Sequence, residues 1–228
     1  MKQLKEKSKI RNFFILTALF GCLSLHAGAE ENSRFALMAE MGSTGPGMDL
    51  VGKITPSFNW RAGFNAFSGE MDLEIRDLPY ETDTDYGLTN FLVDFFPTEK
   101  QFRITGGIIY YNYEMELEGD LKVGKGYKVG YHKYSATDIG VMDGKIESDG
   151  IAPYAGIGWG NPFSAKSNWS FQCDIGFMAI KEPDVTLTAS NPNHRQDLAN
   201  DLTVERKKIR DDIPEIYPVI SAGFAVRF

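Results

Sequence analysis

The stretch that decides the fold is the last one, VISAGFAVRF (residues 219–228). Ile220, Ala222, Phe224, Val226 and Phe228 fall on one parity, and Ser221, Gly223, Ala225 and Arg227 on the other. Successive side chains of a strand point to opposite faces, so this segment has one apolar face and one small or charged face. In a chain of mean hydropathy -0.26 and net charge -7, it reads as the closing strand of a membrane β-barrel. Its apolar parity meets lipid, and Phe228 sits in an interfacial girdle.

The other end of the chain supports export. Residues 1–12, MKQLKEKSKIRN, are basic, and residues 13–25, FFILTALFGCLSL, are apolar. Ala27-Gly28-Ala29 supplies small residues before Glu30-Glu31, the layout of a cleaved signal peptide over 1–29 followed by a mature barrel over 30–228. Cys22, after Gly21, offers lipidation as the alternative processing. Five of the 24 Lys and Arg and one of the 31 Asp and Glu precede residue 30, so the remainder has 19 bases, 30 acids and a net charge of -11. Such a balance argues against nucleic acid as a partner. Cys173 alone remains after cleavage, which excludes an internal disulfide. No later run is long and apolar enough for a membrane helix, so a membrane protein of this sequence must cross with strands in a closed ring.

Seven further segments carry the same alternation: 34–42, 48–54, 58–74, 86–96, 102–118, 144–160 and 168–180. With the last strand they make eight, an antiparallel all-β barrel. The connections after the second, fourth and sixth strands are tight (TPS, PTEKQ and NPFSAKS). On the other side the first connection is short and the rest are long: a polar stretch over 75–85, a Gly/Tyr/Lys-rich one over 119–144, and one over about 183–216. Within the last, QDLANDLTVERKKIRDDI (196–213) predicts a surface helix ended by Pro214. An even strand count with both termini on the periplasmic side fits a bacterial outer-membrane barrel. Trp60, Trp159 and Trp169 all fall on the apolar parity beside tight turns, as a girdle would have them. A soluble sandwich shares the alternation but has no reason to put tryptophans outward at one rim.

The chain also resembles the CarO-like small outer-membrane barrels, grouped loosely with OmpW-like proteins. The resemblance rests on AEMGSTGPG (39–47), SDGIAPYAGIGWG (148–160), NWSFQCDIGF (168–177), EPDVTLT (182–188) and ERKKIRDD (205–212). It implies an eight-stranded outer-membrane barrel and, for the namesake, uptake of small basic amino acids such as ornithine and entry of carbapenems. The terminal Phe also resembles the signal by which the barrel assembly machinery recognises its clients.

The parity opposite the apolar one gives the candidate lumen residues: Glu40, Asp49, Lys53, Arg61, Asp94, Arg103, Tyr154, Asp174 and Arg227, with Asn59, Asn65, Asn90, Gln172 and Ser221. Four acids face four bases. They predict either a polar path for small solutes or a packed interior of ion pairs, and the narrow bore of eight strands favours the second for most of them. A third possibility is a barrel whose loops do the work. Tyr127, Tyr131 and Tyr134 alternate with Lys122, Lys125, Lys128 and Lys133, a surface suited to lipopolysaccharide phosphates or other partners. A lipid-modifying enzyme would need a His with a nucleophile. His132 and His194 fall in outer loops, and only the stretch YHKYS (131–135) puts hydroxyls near an imidazole. No cofactor or metal pattern is present, so neither is expected.

Overall fold

The computed structural model describes residues 33–76, 78–164 and 167–228. The signal-peptide reading and Cys22 lie outside them. In chain order the elements are β1 (Phe35–Gly42), β2 (Gly45–Thr55), β3 (Phe58–Ile75), β4 (Leu78–Phe95), β5 (Phe102–Gly119), β6 (Gly126–Val129), β7 (His132–Ser135), α1 (Ala136–Ile139), β8 (Met142–Trp159), β9 (Trp169–Ala179), β10 (Asp184–Ala189), α2 (Gln196–Asp212) and β11 (Ile216–Arg227). Eight strands close a ring in the order β1-β2-β3-β4-β5-β8-β9-β11, with β11 returning to β1. All pairs are antiparallel. Closure gives every strand two neighbours, the arrangement a backbone surrounded by lipid requires.

The closing strand lies where its pattern puts it. Leu37 pairs with Val226 and Ala39 with Phe224, and the Phe228 N–H donates to the Phe35 carbonyl at 3.1 Å. Ile220 and Phe224 stand exposed on the outside, while Ser221 and Ala225 are buried. Trp159 and Trp169 are 55% and 63% exposed on the same outer face. Trp60 lies across Gly52 of the neighbouring strand, where an added Cβ would come within 2.2 Å of the indole. Phe58 and Phe95 stack nearby with ring centroids 5.0 Å apart. The lower rim, where the termini meet, is therefore an aromatic girdle. Above it Phe91, Ile104, Ile108, Ile151, Phe171 and Ile175 expose a continuous apolar belt. A surface of that extent meets lipid, not water.

The structure departs from the sequence reading above this belt. Residues 75–85 are not a loop. β4 starts at Leu78, and its first residues pair with both β3 and β5. β3, β4, β5 and β8 each run 18 residues. A membrane crossing needs about 9–11, so their upper parts stand clear of the bilayer. The alternation persists there with different chemistry. Leu78, Tyr80, Thr82 and Thr84 are buried inside, while Glu81 and Asp85 point outward and are exposed. Threonines inside and acids outside weaken the strand signal without changing its period. The STGPG hinge contracts to a turn at Ser43 and Thr44, because β2 begins at Gly45.

The two long connections fold into a cap. β6 and β7 form a hairpin, and β10 pairs with the upper part of β8. α2 packs Leu198 and Ile209 into a core with Leu78, Leu117, Ile139, Met142 and Leu187. The amides of residues 78–85 should therefore exchange slowly, with protection at least about a hundredfold above that of an open loop. Hydrogen exchange read by mass spectrometry on micelle-bound protein measures this, and loop-like exchange would contradict the extended sheet.

Candidate functional site

At mid-height the lumen holds a crossed ion-pair cluster. Arg61 on β3 reaches Asp174 on β9, four strands round the ring, with two parallel contacts of 3.3 Å. Its Nε lies 3.0 Å from Asp94 on β4, and Nη1 lies 3.8 Å from Asp49 on β2. Arg103 on β5 grips the same Asp174 through Nε at 3.2 Å and Nη2 at 2.6 Å. Its Nη1 donates to the Gly160 carbonyl and to Gln172 Oε1. All five charged side chains are buried.

Neutral partners satisfy the remaining oxygens. The Thr105 hydroxyl donates to Asp94 at 2.7 Å, and Asn90 Nδ2 donates to Asp49 at 2.9 Å. Slightly higher, Glu40 accepts from Asn65 at 3.0 Å and from the Ser221 hydroxyl at 2.9 Å. Backbone space is part of the design. A Cβ on Gly158 would sit 2.5 Å from Asp174 Oδ1 and 2.8 Å from Arg103 Nε, so the pair passes over β8 only because that residue is glycine. The Tyr154 hydroxyl likewise fills the space above Gly156 and Gly176.

Apolar side chains pack into the lumen on both sides of the cluster. Above it lie Leu88, Leu92, Ile109, Tyr111, Ala152, Tyr154, Met178 and Val219. Below it lie Ala36, Met38, Val51 and Ala225, with Phe163 packed against them. The cavity beside Arg61 and Asp49 measures about 30 Å³, room for about two waters by the usual minimum volume per site. Lys53 and Arg227 stand apart from the cluster, half-buried near the lower rim. Lys53 Nζ lies 6.0 Å over the Phe163 ring. Four carboxylates, including Glu40, thus gather around two guanidiniums at the centre.

A second polar network, which sequence reasoning missed, holds the cap. Asp201 and Glu205 are buried on α2. Asp201 accepts from the Tyr134 hydroxyl at 2.7 Å and meets His132 Nδ1 at 2.7 Å. Glu205 accepts from the Gly130 N–H at 2.8 Å and from Arg76 Nε at 3.1 Å. Lys208 Nζ donates to the Gly130 carbonyl and lies 4.6 Å over the Tyr131 ring. One face of α2, spaced by three and four residues, therefore clamps the β6–β7 turn. Spacing was the available signal, but in a strongly charged helix these acids look solvated. Ser135, considered above as a neighbour for His132, instead caps α1 by accepting from the Asp138 N–H at 3.2 Å. Among the described residues no group of His, Cys, Asp and Glu is arranged to hold a metal ion.

No protein-family model matches the chain, and no curated protein matches it. Solved structures do. The crystal structure of Acinetobacter baumannii CarO2 is similar at 22% identity and a TM-score of 0.64, over 86% of this chain and 99% of that one. The crystal structure of Acinetobacter baumannii CarO is similar at 21% identity and a TM-score of 0.63, over 88% of this chain and 100% of that one. The fold is that of a CarO-like barrel, in agreement with the resemblance carried by the sequence.

Two predictions follow from these networks. Asp174→Ala strands two buried guanidiniums and should lower stability by about 3–5 kcal/mol, while Asp174→Asn, which keeps the volume and one acceptor oxygen, should lose less. Denaturant unfolding in micelles compares them. In the cap, burial alone would raise the Asp201 carboxyl, but the hydrogen bonds from Tyr134, His132 and the Tyr131 N–H outweigh it and hold the group below its ordinary range. A depressed folded-state value adds stability above the unfolded pKa of about 4 and loses it as pH falls through the folded value. Pepsin cleavage of the cap should rise steeply below about pH 4. Asp201→Asn should lose most of that pH dependence.

Proposed function

We propose that this protein is an outer-membrane barrel that is sealed at rest and holds a folded cap on the outside of the cell. The observation that carries this reading is the filled lumen. Apolar layers lie above and below a cluster whose five charged side chains are all engaged, and the cavity between them is far smaller than an amino acid. The apolar belt and the girdle at the end bearing the termini support an outer-membrane setting, with the cap on the far side. Lipopolysaccharide around the belt and the assembly machinery at the terminal strand are the partners this setting supplies.

A second reading has its own observation. Glu40, Asp49, Asp94 and Asp174 outnumber Arg61 and Arg103 at the centre. If the cluster loosens, the lumen favours small cations, and a basic amino acid such as ornithine is the solute of that kind implied by the resemblance to CarO-like barrels.

Refolded protein in liposomes separates the readings by swelling or uptake of labelled ornithine, glycine and glutamate. A sealed barrel gives the same rates as empty vesicles. Selective uptake of ornithine would overturn the sealed reading and support the second. In that case Arg61→Ala, which removes a cross-brace, should raise the flux.

A further inference from the structure

The β1–β2 turn at Ser43 and Thr44 is the low point of the wall, and a strand rises past it on either side. One of the two rims is finished. Along β11, the Ser43 N–H donates to the Ile220 carbonyl at 2.9 Å, and the Ile220 N–H donates to the Ser43 hydroxyl at 3.1 Å. That hydroxyl donates in turn to the Pro218 carbonyl at 3.3 Å, and Pro218 has no N–H to leave open. The other rim differs. The register of β3 with β2 ends at the Gly47–Asn65 pair, whereas its register with β4 continues to Ile75 and Leu78. Gly45 still approaches Ala66 and Phe67, but residues 68–75 rise beyond it. Among the described residues no strand pairs with that edge of β3. It carries no proline and is regular to its end.

The two faces of this edge differ sharply. Glu70, Asp72 and Glu74 point outward above the lipid belt, beside Glu81 and Asp83 of β4. Met71, Leu73 and Ile75 share the inner parity with Phe67, which stacks on Tyr86 at 5.5 Å. Phe67 is 38% exposed and Met71 47%, although both lie on the face that is buried elsewhere in β3.

We propose that the edge of β3 over residues 68–75 is a docking strand for an extended peptide whose side chains alternate basic and apolar. Main-chain hydrogen bonds to the open edge supply the attachment, as in other strand additions. The basic side chains then fall beside Asp72 and Glu74, and the apolar ones cover Met71 and Phe67. A second copy of this chain does not fit, because pairing β3 with itself sets acids against acids. The edge stands in water, above the belt, where a soluble peptide reaches it.

The probe is a fluorescein-labelled alternating lysine–valine peptide, titrated into the full chain in micelles and followed by anisotropy. Two control peptides have the same composition, one with the lysines and valines in separate blocks and one N-methylated at every second amide. The alternating peptide should bind at least about tenfold more tightly than either control. Asp72→Lys/Glu74→Lys should weaken it by a similar factor, and bound peptide should slow amide exchange over residues 68–75. Equal binding of all three peptides would mean general attraction to an acidic surface and would overturn the proposal. So would no binding of the alternating peptide.

Discussion

The carboxylate of Asp174 is the point on which the interior depends. It accepts from two guanidiniums that arrive from different walls, and through Arg61 it ties β9 to β3 across the full bore. An eight-stranded ring is just wide enough for its own side chains, so a charge placed inside has little access to water. Each such charge is tolerable only when surrounded by opposite charge and hydrogen-bond partners. Much else in the lumen follows from meeting that condition. Gly158 is bare so that the Asp174–Arg103 contact can pass, Thr105 and Asn90 supply donors to the flanking acids, and apolar side chains pack above and below.

The cap uses the same device in a wetter setting. Its hydrophobic core is made from the inner face of the raised sheet, the β6–β7 hairpin and α2. Small cores specify position poorly by themselves, and the buried acids of α2 add direction, since Asp201 and Glu205 accept from backbone and side chains of one particular turn. The sheet is thus one continuous object with two environments. Its outer face is greasy where it meets lipid and acidic where it meets water, with no break in the hydrogen-bonded ladder between them.

How much of this could be read in the sequence follows from which signals are periodic. The barrel was legible because apolar residues gather on one parity in all eight ring strands, and Trp60, Trp159 and Trp169 mark a common height. The upper part of β4 was not, because Thr82 and Thr84 stand where an aliphatic residue would announce a buried position, and acids fill the other face. β10 lies within EPDVTLT, where Val185 and Leu187 alone make too weak an alternation to stand out from a polar connection. In the lumen, parity selected the residues now found in the cluster. It could not tell Lys53 and Arg227, near the rim, from Arg61 and Arg103 at the centre, because height along a strand carries no period. The cap anchors were hidden for a different reason: a buried acid and a solvated one are the same letter.

The uneven strand lengths have a mechanical consequence. β3 and β4 share 18 paired positions and β5 and β8 share 17, but β8 meets β9 through only six and β1 meets β11 through seven. β9 and β11 pair with each other through 11. β1 meets β2 and β2 meets β3 through eight each, so the ring divides into a stiff four-strand sheet, β3-β4-β5-β8, and a low-walled half, β9-β11-β1-β2, joined to it by short seams. Backbone groups in lipid cannot be left open, so the seams hold while the barrel is intact. Any lateral loading of the wall concentrates on them.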